Sequence, residues 1–313
     1  MLRSPEMMGG IEGELKYEKE KALKELLRKL TNGEYTHIGD GRSGDVKMLT
    51  IDADSDLSKT WVLKIEREKT KEQEALNLTM RDELLLHSRA MDILVRARIA
   101  NPDKLYADIP EIIGFMNEWE KPVLFIEYVE GNTLFERALK EFIITYTVDD
   151  PDSDEGREEI NEIQEMTKEE LIDRASEPDL VNVLPPRYRH EIQLEGGQLD
   201  ENAFIGIALD VNRLTKGQSK IINEKQFEAL TNTVKLLHAK GFHHRDLHAS
   251  NIMIKPDGTV SIIDFGLSVD TRALETGSVY TENIGNAMQE RYVKLMKDLE
   301  MLETYYKVAR KRV

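Results

Sequence analysis

The stretch GFHHRDLHASNIMI, residues 241–254, places five ionisable side chains within six positions between apolar neighbours. Asp246 is followed by Asn251 in this stretch, and the later segment SIIDFGLS supplies Asp264. Hard cations such as Mg²⁺ prefer oxygen ligands, so one amide oxygen and one carboxylate, completed by nucleotide phosphates, make a suitable site. The remaining carboxylate, on Asp246, is then available to orient a hydroxyl group and accept its proton.

Two other interpretations of the same stretch remain open. HHRDLH is also compatible with an ordinary polar loop, and His244 and His248 have the i, i+4 spacing of a zinc site. Neither interpretation accounts for Asn251 and Asp264 together, so the cation and hydroxyl chemistry is preferred.

Composition limits the classes of protein to consider. With 313 residues, 40% of them hydrophobic, the chain is long enough for one large or two ordinary globular domains. The formal net charge of −16 argues against general nucleic-acid binding, which needs clustered Lys and Arg. The lack of cysteine excludes disulfides and thiolate nucleophiles. Apolar runs are too short for a membrane span or a signal peptide, so a cytoplasmic protein without membrane partners is expected.

The first part of the chain favours β-structure. Residues 35–54 and 60–67 carry β-favouring side chains separated by Gly, Asp and Ser, which predicts antiparallel strands. Two apolar stretches, residues 109–116 and 122–129, flank NEWEK and predict a hairpin. The charged residues 13–30 before them predict a peripheral helix.

A helical pattern follows the strand predicted at residues 60–67, and helical patterns predominate later in the chain. Between Lys71 and Val95, apolar residues at helical spacing share one face: Leu76, Met80, Leu84, Met91 and Leu94. Beyond Leu134 the strand signals thin out. VDDPDSDEGREE, residues 148–159, is typical of a solvated, mobile acidic run, whereas Thr167 with Glu170 predicts the capped start of a helix.

HRDLHASN together with DFG resembles the catalytic and metal-binding loops of the protein-kinase-like superfamily. Upstream, GDGRSGDV is similar to its glycine-rich loop through Gly39, Gly41, Gly44 and Val46. A dinucleotide-binding loop has similar glycines but leads directly into a helix, whereas the residues after Val46 predict a strand. Lys64 in WVLKI matches the superfamily's phosphate-binding lysine, and taken alone it is also compatible with an exposed edge-strand lysine.

The resemblance implies that a glutamate of the next helix holds Lys64. At 100° per residue, Glu83 lies at about −20° in the apolar stripe and Glu74 at about 160° on the opposite face. Glu72 is near the stripe but follows Lys64 too closely to be reached after a turn. Glu83 is therefore the predicted partner. His87 shares its stripe, at a position that is usually apolar in the superfamily.

FIEYVEGNTL resembles the hinge between the two lobes of the superfamily, with Ile126 guarding the back of the nucleotide pocket. The resemblance implies that backbone groups of Glu127 and Val129 bind adenine. It also implies that three apolar side chains sandwich the base: Val46, Val62 and Met253.

Departures from the pattern indicate an atypical subtype. His248 stands where a typical Ser/Thr protein kinase has lysine, as in haspin-like and aminoglycoside-phosphotransferase-like kinases. No APE follows DFG, and the compact ending resembles the RIO kinases and the small kinases of the tRNA-modification complex. Asp298 in KDLEML is either a buried aspartate that braces the catalytic loop or a solvent-exposed residue, and the sequence leaves both open.

The predicted fold class is α+β, a two-lobed protein-kinase-like fold with an antiparallel β-rich N-lobe and a mainly helical C-lobe. The predicted organisation is an N-terminal helical extension over residues 1–30, an N-lobe over 31–126, a hinge over 127–131 and a C-lobe over 132–313. The C-lobe includes an acidic, helical insertion at about 140–220, which either binds a substrate or partner or is ordinary surface structure.

The expected reaction is transfer of the ATP γ-phosphoryl group to a hydroxyl acceptor, with Mg²⁺ or alternatively Mn²⁺ as cofactor. Asp246, Lys64 and Glu83 are the predicted catalytic residues, and Asn251 and Asp264 the predicted metal ligands. An atypical Ser/Thr protein kinase is the preferred hypothesis, and a small-molecule kinase is the second. The third is a nucleotide-binding scaffold with little turnover, disfavoured because no expected polar catalytic residue is missing.

Overall fold

The structure is a computed structural model that describes residues 21–40, 44–50, 60–66, 79–116, 121–192, 201–216, 221–272 and 298–309. The described residues divide into two compact units. The N-terminal unit contains those up to Asp92 together with residues 110–129. The C-terminal unit contains residues 93–109 and the described residues from Glu130 onward.

A five-stranded antiparallel sheet forms the centre of the N-terminal unit, in the order β1-β2-β3-β5-β4. Its strands are β1 (Thr36–Asp40), β2 (Gly44–Thr50), β3 (Thr60–Glu66), β4 (Ile112–Met116) and β5 (Val123–Glu127). Side chains alternate between the two faces of a strand. Trp61, Leu63 and Ile65 of β3 are therefore buried on one face, while Lys64 points to the other. The predicted strands and the predicted hairpin of β4 with β5 are confirmed.

Residues 21–31 form a helix, α1, whose apolar side chains pack with the buried face of this sheet. Leu26 and Leu30 are buried in one core cluster with Trp61 and Phe125. The helix approaches the sheet closely, because a Cβ added at Gly114 would lie 2.7 Å from a side-chain atom of Leu23. The described part of the predicted peripheral helix is thus part of the core of the unit.

Helix α2 (Met80–Ala100) follows the predicted apolar periodicity. Its start is fixed by Thr79, whose N–H and hydroxyl both donate to Asp82 Oδ2 at 2.7 Å, while its Oγ1 accepts from Asp82 N–H. Glu83 and His87 both lie on its buried face, as predicted. The helix continues past the predicted end at Val95, and its predicted beginning at residues 71–78 lies outside the described residues.

The C-terminal unit is mainly helical. Its helices are α3 (Leu134–Thr147), α4 (Asp154–Glu165), α5 (Lys168–Ala175), α6 (Pro178–Val181), α7 (Pro186–Ile192), α8 (Glu201–Leu214), α9 (Glu224–Ala239) and α10 (Asp298–Ala309). Residues 140–220, the predicted insertion, hold five of these from α4 to α8 within the part of the chain that the structure describes.

Capping side chains explain where the helices of this region begin. Thr167 and Glu170 form the predicted capping box, since each side chain bonds to the other residue's backbone N–H. Ser153 accepts from Gly156 N–H at 2.9 Å, so α4 starts inside the acidic run that was predicted to be solvated and mobile. Acidic residues in the first turn complement the helix dipole, which favours a helix there.

Two small antiparallel sheets position the polar loops of the C-terminal unit. Strand β7 (Phe242–His243) pairs with β10 (Val269–Asp270), and the other sheet joins β6 (Asn132–Thr133), β8 (Ile252–Ile254) and β9 (Val260–Ile262) in the order β6-β8-β9. The loop from β7 to β8 contains the HRD segment, and the loop from β9 to β10 contains DFG. Because β7 pairs with β10 and β8 pairs with β9, each end of one loop lies next to an end of the other.

The predicted fold class is confirmed: an antiparallel β-sheet unit and a mainly helical unit form a two-lobed α+β, protein-kinase-like fold. Within the described ranges, no helix combines the length and apolar character that crossing a membrane requires.

Candidate active site

Lys64 and Glu83 form a buried ion pair in the N-terminal unit. Lys64 Nζ donates to Glu83 Oε1 at 2.7 Å, and the side chains are only 7% and 3% exposed. Strand β3 lies between β2 and β5, and Lys64 is opposite Val46 and Leu124 in register. The alternative of an exposed edge-strand lysine is therefore wrong. A lysine held in this way presents a fixed positive charge on one face of the sheet.

Breaking this pair is expected to cost more stability than removing both charges. Lys64→Met leaves the Glu83 carboxylate buried without the lysine, which we expect to lower the free energy of unfolding by about 3–5 kcal/mol. The double variant Lys64→Met/Glu83→Leu should recover part of that loss. Urea unfolding of the wild type, the single variants and the double variant measures the coupling.

The exposed pair of Arg89 and Asp92, on the same helix, gives a matched control. Their side chains are 37% and 39% exposed, so Arg89→Met should change stability by less than about 1 kcal/mol. Additive losses for Lys64 and Glu83 would contradict a strong buried coupling.

The predicted glycine loop joins two paired strands. Gly39 lies opposite Val46 in the β1–β2 register, and Gly44 opens β2. Gly41 lies outside the described residues. The segment after the glycines is a strand, so the alternative of a dinucleotide-binding loop that opens a helix is wrong.

The predicted adenine-contacting residues are distributed over both units. Val46 and Val62 share the sheet face of Lys64, because Val46 is directly opposite it and Val62 is two residues away on β3. Met253 is buried in β8 of the C-terminal unit. Each unit thus supplies apolar side chains from the predicted set.

The predicted hinge residues follow strand β5. The Glu127 N–H donates to Glu111 O at 2.7 Å, and Glu127 Oε2 accepts from the N–H of Glu111 at 3.1 Å. These bonds fix the strand end immediately before Val129. The backbone at the predicted hinge is therefore held by its neighbour in the sheet.

Asn251 is oriented by the loop that contains Asp246. Its Nδ2 donates to Asp246 O at 2.7 Å, and lies 3.4 Å from Asp246 Oδ2 and 3.1 Å from His248 Nε2. Because the NH₂ group faces the carbonyl and carboxylate oxygens of Asp246, the amide oxygen is the atom of Asn251 that can ligate a cation. His248 Nε2 is also 3.6 Å from Asp246 Oδ2.

The backbone is strained at two positions of this region. Arg245 has φ 69° and Asp264 has φ 58°, in the left-handed region that non-glycine residues rarely occupy. Such conformations cost about 1–3 kcal/mol each and persist where the surroundings enforce them, often at active sites. Asp264 Oδ1 accepts from Gly266 N–H at 3.2 Å, and the loops are joined by Ile263 N–H donating to Asn251 O at 3.0 Å.

His244 connects the two loops through its ring. Nε2 donates to Ile263 O at 3.0 Å, and Nδ1 accepts from Asp246 N–H at 3.3 Å. With both ring nitrogens bonded to the backbone, the alternative of a zinc site on His244 and His248 is wrong. The ring also packs edge-on against buried Phe265 of DFG, with centroids 4.9 Å apart.

Asp298 is buried, and it holds the backbone of the catalytic loop. Its Oδ2 accepts from His244 N–H at 3.0 Å, and its Oδ1 accepts from Arg245 N–H at 2.9 Å. His238 Nε2 adds a third bond to Oδ2 at 3.0 Å. Burial raises the pKa of the Asp298 carboxyl, but the His238 hydrogen bond and neighbouring positive groups outweigh it, so that pKa lies below its ordinary value. The solvent-exposed alternative is therefore wrong.

Two residues that sequence reasoning missed also support this loop. Tyr305, two turns after Asp298 on α10, donates its hydroxyl hydrogen to Leu247 O at 3.2 Å. His238 approaches from α9. The signal that could have found Tyr305 is its seven-residue separation from Asp298, which places both on one helix face.

His243 should make stability depend on pH. Burial first, and then the charge of His238 and that of Arg245, lower its pKa below the ordinary 6.5, and Asp298 opposes this shift. The unfolded chain therefore takes up a proton as pH falls through 6.5, while the folded chain does so only at lower pH. Stability present above that pH is lost as pH falls from about 6.5.

His243→Phe is expected to reduce that pH dependence, because phenylalanine takes up no proton. Unfolding in urea between about pH 7 and 5, with a chelator present, measures the slope for each variant. His37→Gln, which removes an exposed histidine, serves as the control. If the free energy of unfolding changes equally with pH in the wild type and in His243→Phe, His243 is not the source of the pH dependence.

Comparison with known proteins adds a family match. The protein kinase domain family matches residues 209–287, the segment that contains HRD, Asn251 and DFG. The match covers about a quarter of the chain and agrees with the protein-kinase-like fold described above.

Among curated proteins, the chain is similar to plant Ser/Thr kinases. It is 30% identical to CBL-interacting serine/threonine-protein kinase 9 of Arabidopsis thaliana over 122 residues, which are 38% of this chain and 25% of that protein. It is 28% identical to CBL-interacting protein kinase 31 of Oryza sativa subsp. japonica over 125 residues, 39% and 26% of the two chains. The chain spans about a quarter of the length of these two relatives. These matches give no support to a RIO-, haspin- or aminoglycoside-phosphotransferase-like subtype.

Proposed function

We propose that the protein transfers the γ-phosphoryl group of ATP to the hydroxyl group of a protein serine or threonine. The observation that carries the proposal is the contact of Asn251 Nδ2 with Asp246, since it orients the proposed metal ligand Asn251 next to the proposed catalytic aspartate. Catalysis of this reaction depends mainly on positioning and on charge stabilisation.

Each residue of the candidate site has a role in the proposed reaction. Lys64, held by Glu83, places a positive charge at the phosphates, and the glycine loop lets the backbone approach them. Asn251 Oδ1 and the Asp264 carboxylate suit Mg²⁺ or Mn²⁺, both hard cations that accept oxygen ligands. A cation held by these two residues would supply charge neutralisation at the phosphates. Asp246 orients the acceptor hydroxyl and takes its proton.

The nucleotide base is proposed to bind the backbone of Glu127 and Val129. The Glu127 N–H donates to Glu111 O, and its carbonyl is the group proposed to accept from adenine. Among the described residues, the Val129 N–H donates to no backbone or side-chain acceptor, so it is suited to bond to a ring nitrogen. Val46, Val62 and Met253 would then contact the faces of the base.

The protein acceptor is supported by the names of the curated relatives, one a serine/threonine-protein kinase and the other a protein kinase. A small-molecule acceptor is the second candidate, and one observation favours it. His248, near Asp246 and Asn251, occupies the position where typical Ser/Thr protein kinases carry lysine. The proposal of an atypical subtype rests on the same residue and on the lack of APE after DFG in the sequence.

Incubation with labelled ATP and Mg²⁺ tests the function. We expect label in protein Ser or Thr residues when a cell-protein fraction is added, and none with Asp246→Asn. Label in a metabolite fraction instead would favour the small-molecule kinase. Nucleotide binding without label in either fraction would support the scaffold and contradict the proposed transfer.

Mg·ATP is expected to raise the thermal midpoint of the protein, because a ligand that binds only the folded state stabilises it. At a hundredfold excess over Kd the gain is about 2.7 kcal/mol. Asp264→Ala should remove most of the stabilisation by ATP that depends on Mg²⁺. Differential scanning fluorimetry with ATP, Mg²⁺ or both measures the shift of the thermal midpoint. Asp257→Ala, which changes an exposed aspartate, is the control. An unchanged midpoint at millimolar Mg·ATP would contradict the nucleotide site.

A further inference from the structure

A histidine–histidine–aspartate cluster lies beneath the catalytic loop. His238, His243 and Asp298 each offer one ligand atom, and these atoms lie within 4.8 Å of one another. His238 Nε2 is 3.0 Å from Asp298 Oδ2, and the two imidazole centroids are 4.4 Å apart. His238 and Asp298 belong to the brace described above, whereas His243 has no part in the proposed phosphoryl transfer.

The distances in the cluster suit a small cation. A tetrahedral zinc ion binds nitrogen and oxygen at about 2.0–2.2 Å, which separates its ligand atoms by about 3.3 Å. His238 Nε2 and Asp298 Oδ2, 3.0 Å apart, are already near that separation, and the His243 ligand atom lies within 4.8 Å of both, so binding would draw it closer. We propose that His238, His243 and Asp298 form a binding site for a zinc-like transition-metal cation.

The bonding of Asp298 is compatible with a metal ligand. With a cation bound, Oδ1 would still accept from Arg245 N–H and Oδ2 would still accept from His244 N–H. The cation would replace only the proton between His238 Nε2 and Oδ2. Hydrogen bonds from the backbone to a ligating carboxylate are the usual outer-shell support of metal sites, because they fix its orientation.

The donor set selects the kind of ion. Two imidazole nitrogens and one carboxylate suit Zn²⁺ or Co²⁺, whereas Mg²⁺ prefers oxygen ligands only. The Arg245 charge works against any cation here, so donor atoms rather than net charge supply the affinity. The His238 side chain, 18% exposed, marks the edge at which an ion enters.

An ion at this site would join three elements that carry the catalytic loop. His238 lies on α9, His243 on β7 and Asp298 on α10, and Asp298 holds the loop backbone at His244 and Arg245. Metal binding should therefore stabilise the loop without contact with Asp246. This inference does not depend on the proposed kinase activity.

Titration with Co²⁺ tests the site. Untagged protein, treated with chelator and free of nucleotide, is titrated while visible absorption is recorded. We expect one equivalent to give the strong bands of four- or five-coordinate Co²⁺, and Zn²⁺ to remove them by competition. His243→Phe should raise the Kd at least ~10-fold, since even outer-shell changes cost about 10–100-fold. The matched control His37→Gln should bind as the wild type does.

Further variants separate this site from the nucleotide metal site. Asp264→Ala should keep the absorption bands, because Asn251 and Asp264 do not contribute to them. Circular dichroism checks folding, and His238→Gln, at the exposed edge, replaces His243→Phe if that variant does not fold. The proposal is overturned if wild type gives no saturable bands, if the bands survive both histidine variants, or if Asp264→Ala removes them.

Discussion

Asp246→Asn is expected to lower the rate of phosphoryl transfer by about 10²–10⁴-fold while Mg·ATP binding stays nearly unchanged. The substitution keeps the shape of the side chain and the backbone contact with Asn251 but removes the carboxylate that is proposed to accept the hydroxyl proton. Single-turnover transfer and a separate nucleotide-binding assay measure the two effects.

The matched control is Asp257→Asn, an exposed aspartate of the same unit. It should leave both transfer and binding unchanged. If Asp246→Asn weakens Mg·ATP binding as much as Asp264→Ala does, Asp246 is a metal ligand and the proposed division of roles is wrong.

Asp298→Ala is expected to destabilise the C-terminal unit by roughly 2–6 kcal/mol. It leaves two buried N–H groups, those of His244 and Arg245, without their acceptor, and each unsatisfied group costs about 1–3 kcal/mol. The strained backbone at Arg245 also loses a bond that holds it. Thermal and urea unfolding measure the loss.

Glu300→Ala controls for the removal of a negative charge near the start of the same helix. Glu300 is exposed, so this variant should change stability by less than about 0.5 kcal/mol. Asp298→Asn keeps one acceptor oxygen and should give an intermediate loss. If Asp298→Ala unfolds at the same temperature and urea concentration as the wild type, the catalytic loop does not depend on its bonds to Asp298.

Local patterns were enough to predict the strands and the partner of Lys64. Glu83 was chosen because a helix repeats every 3.6 residues, and the structure places its carboxylate against Lys64 Nζ. The same stripe put His87 on the buried face, where Nε2 donates to Pro110 O at 2.7 Å. Those predictions required only the sequence pattern of a single strand or helix, or of two that are consecutive in the chain.

Contacts between distant segments could not be read in the same way. Asp298 is 53 positions from Arg245, and no periodic pattern relates a residue of α10 to that loop. The acidic residues near Ser153 have the composition of a solvated run, but a cap and packing against α3 decide for a helix. Tertiary packing routinely overrides such local preferences.

The full burial of α1 depends on strands of the sheet that are synthesised after it. Leu26 is buried against Phe125, so about 100 residues are translated before its neighbour in the core exists. At roughly 5–20 residues per second, the apolar stripe of the helix remains exposed for about 5–20 s on the ribosome. This helix, which precedes the sheet in the chain, therefore completes its burial only with β5, and in that interval chaperones that recognise exposed apolar surface can bind it.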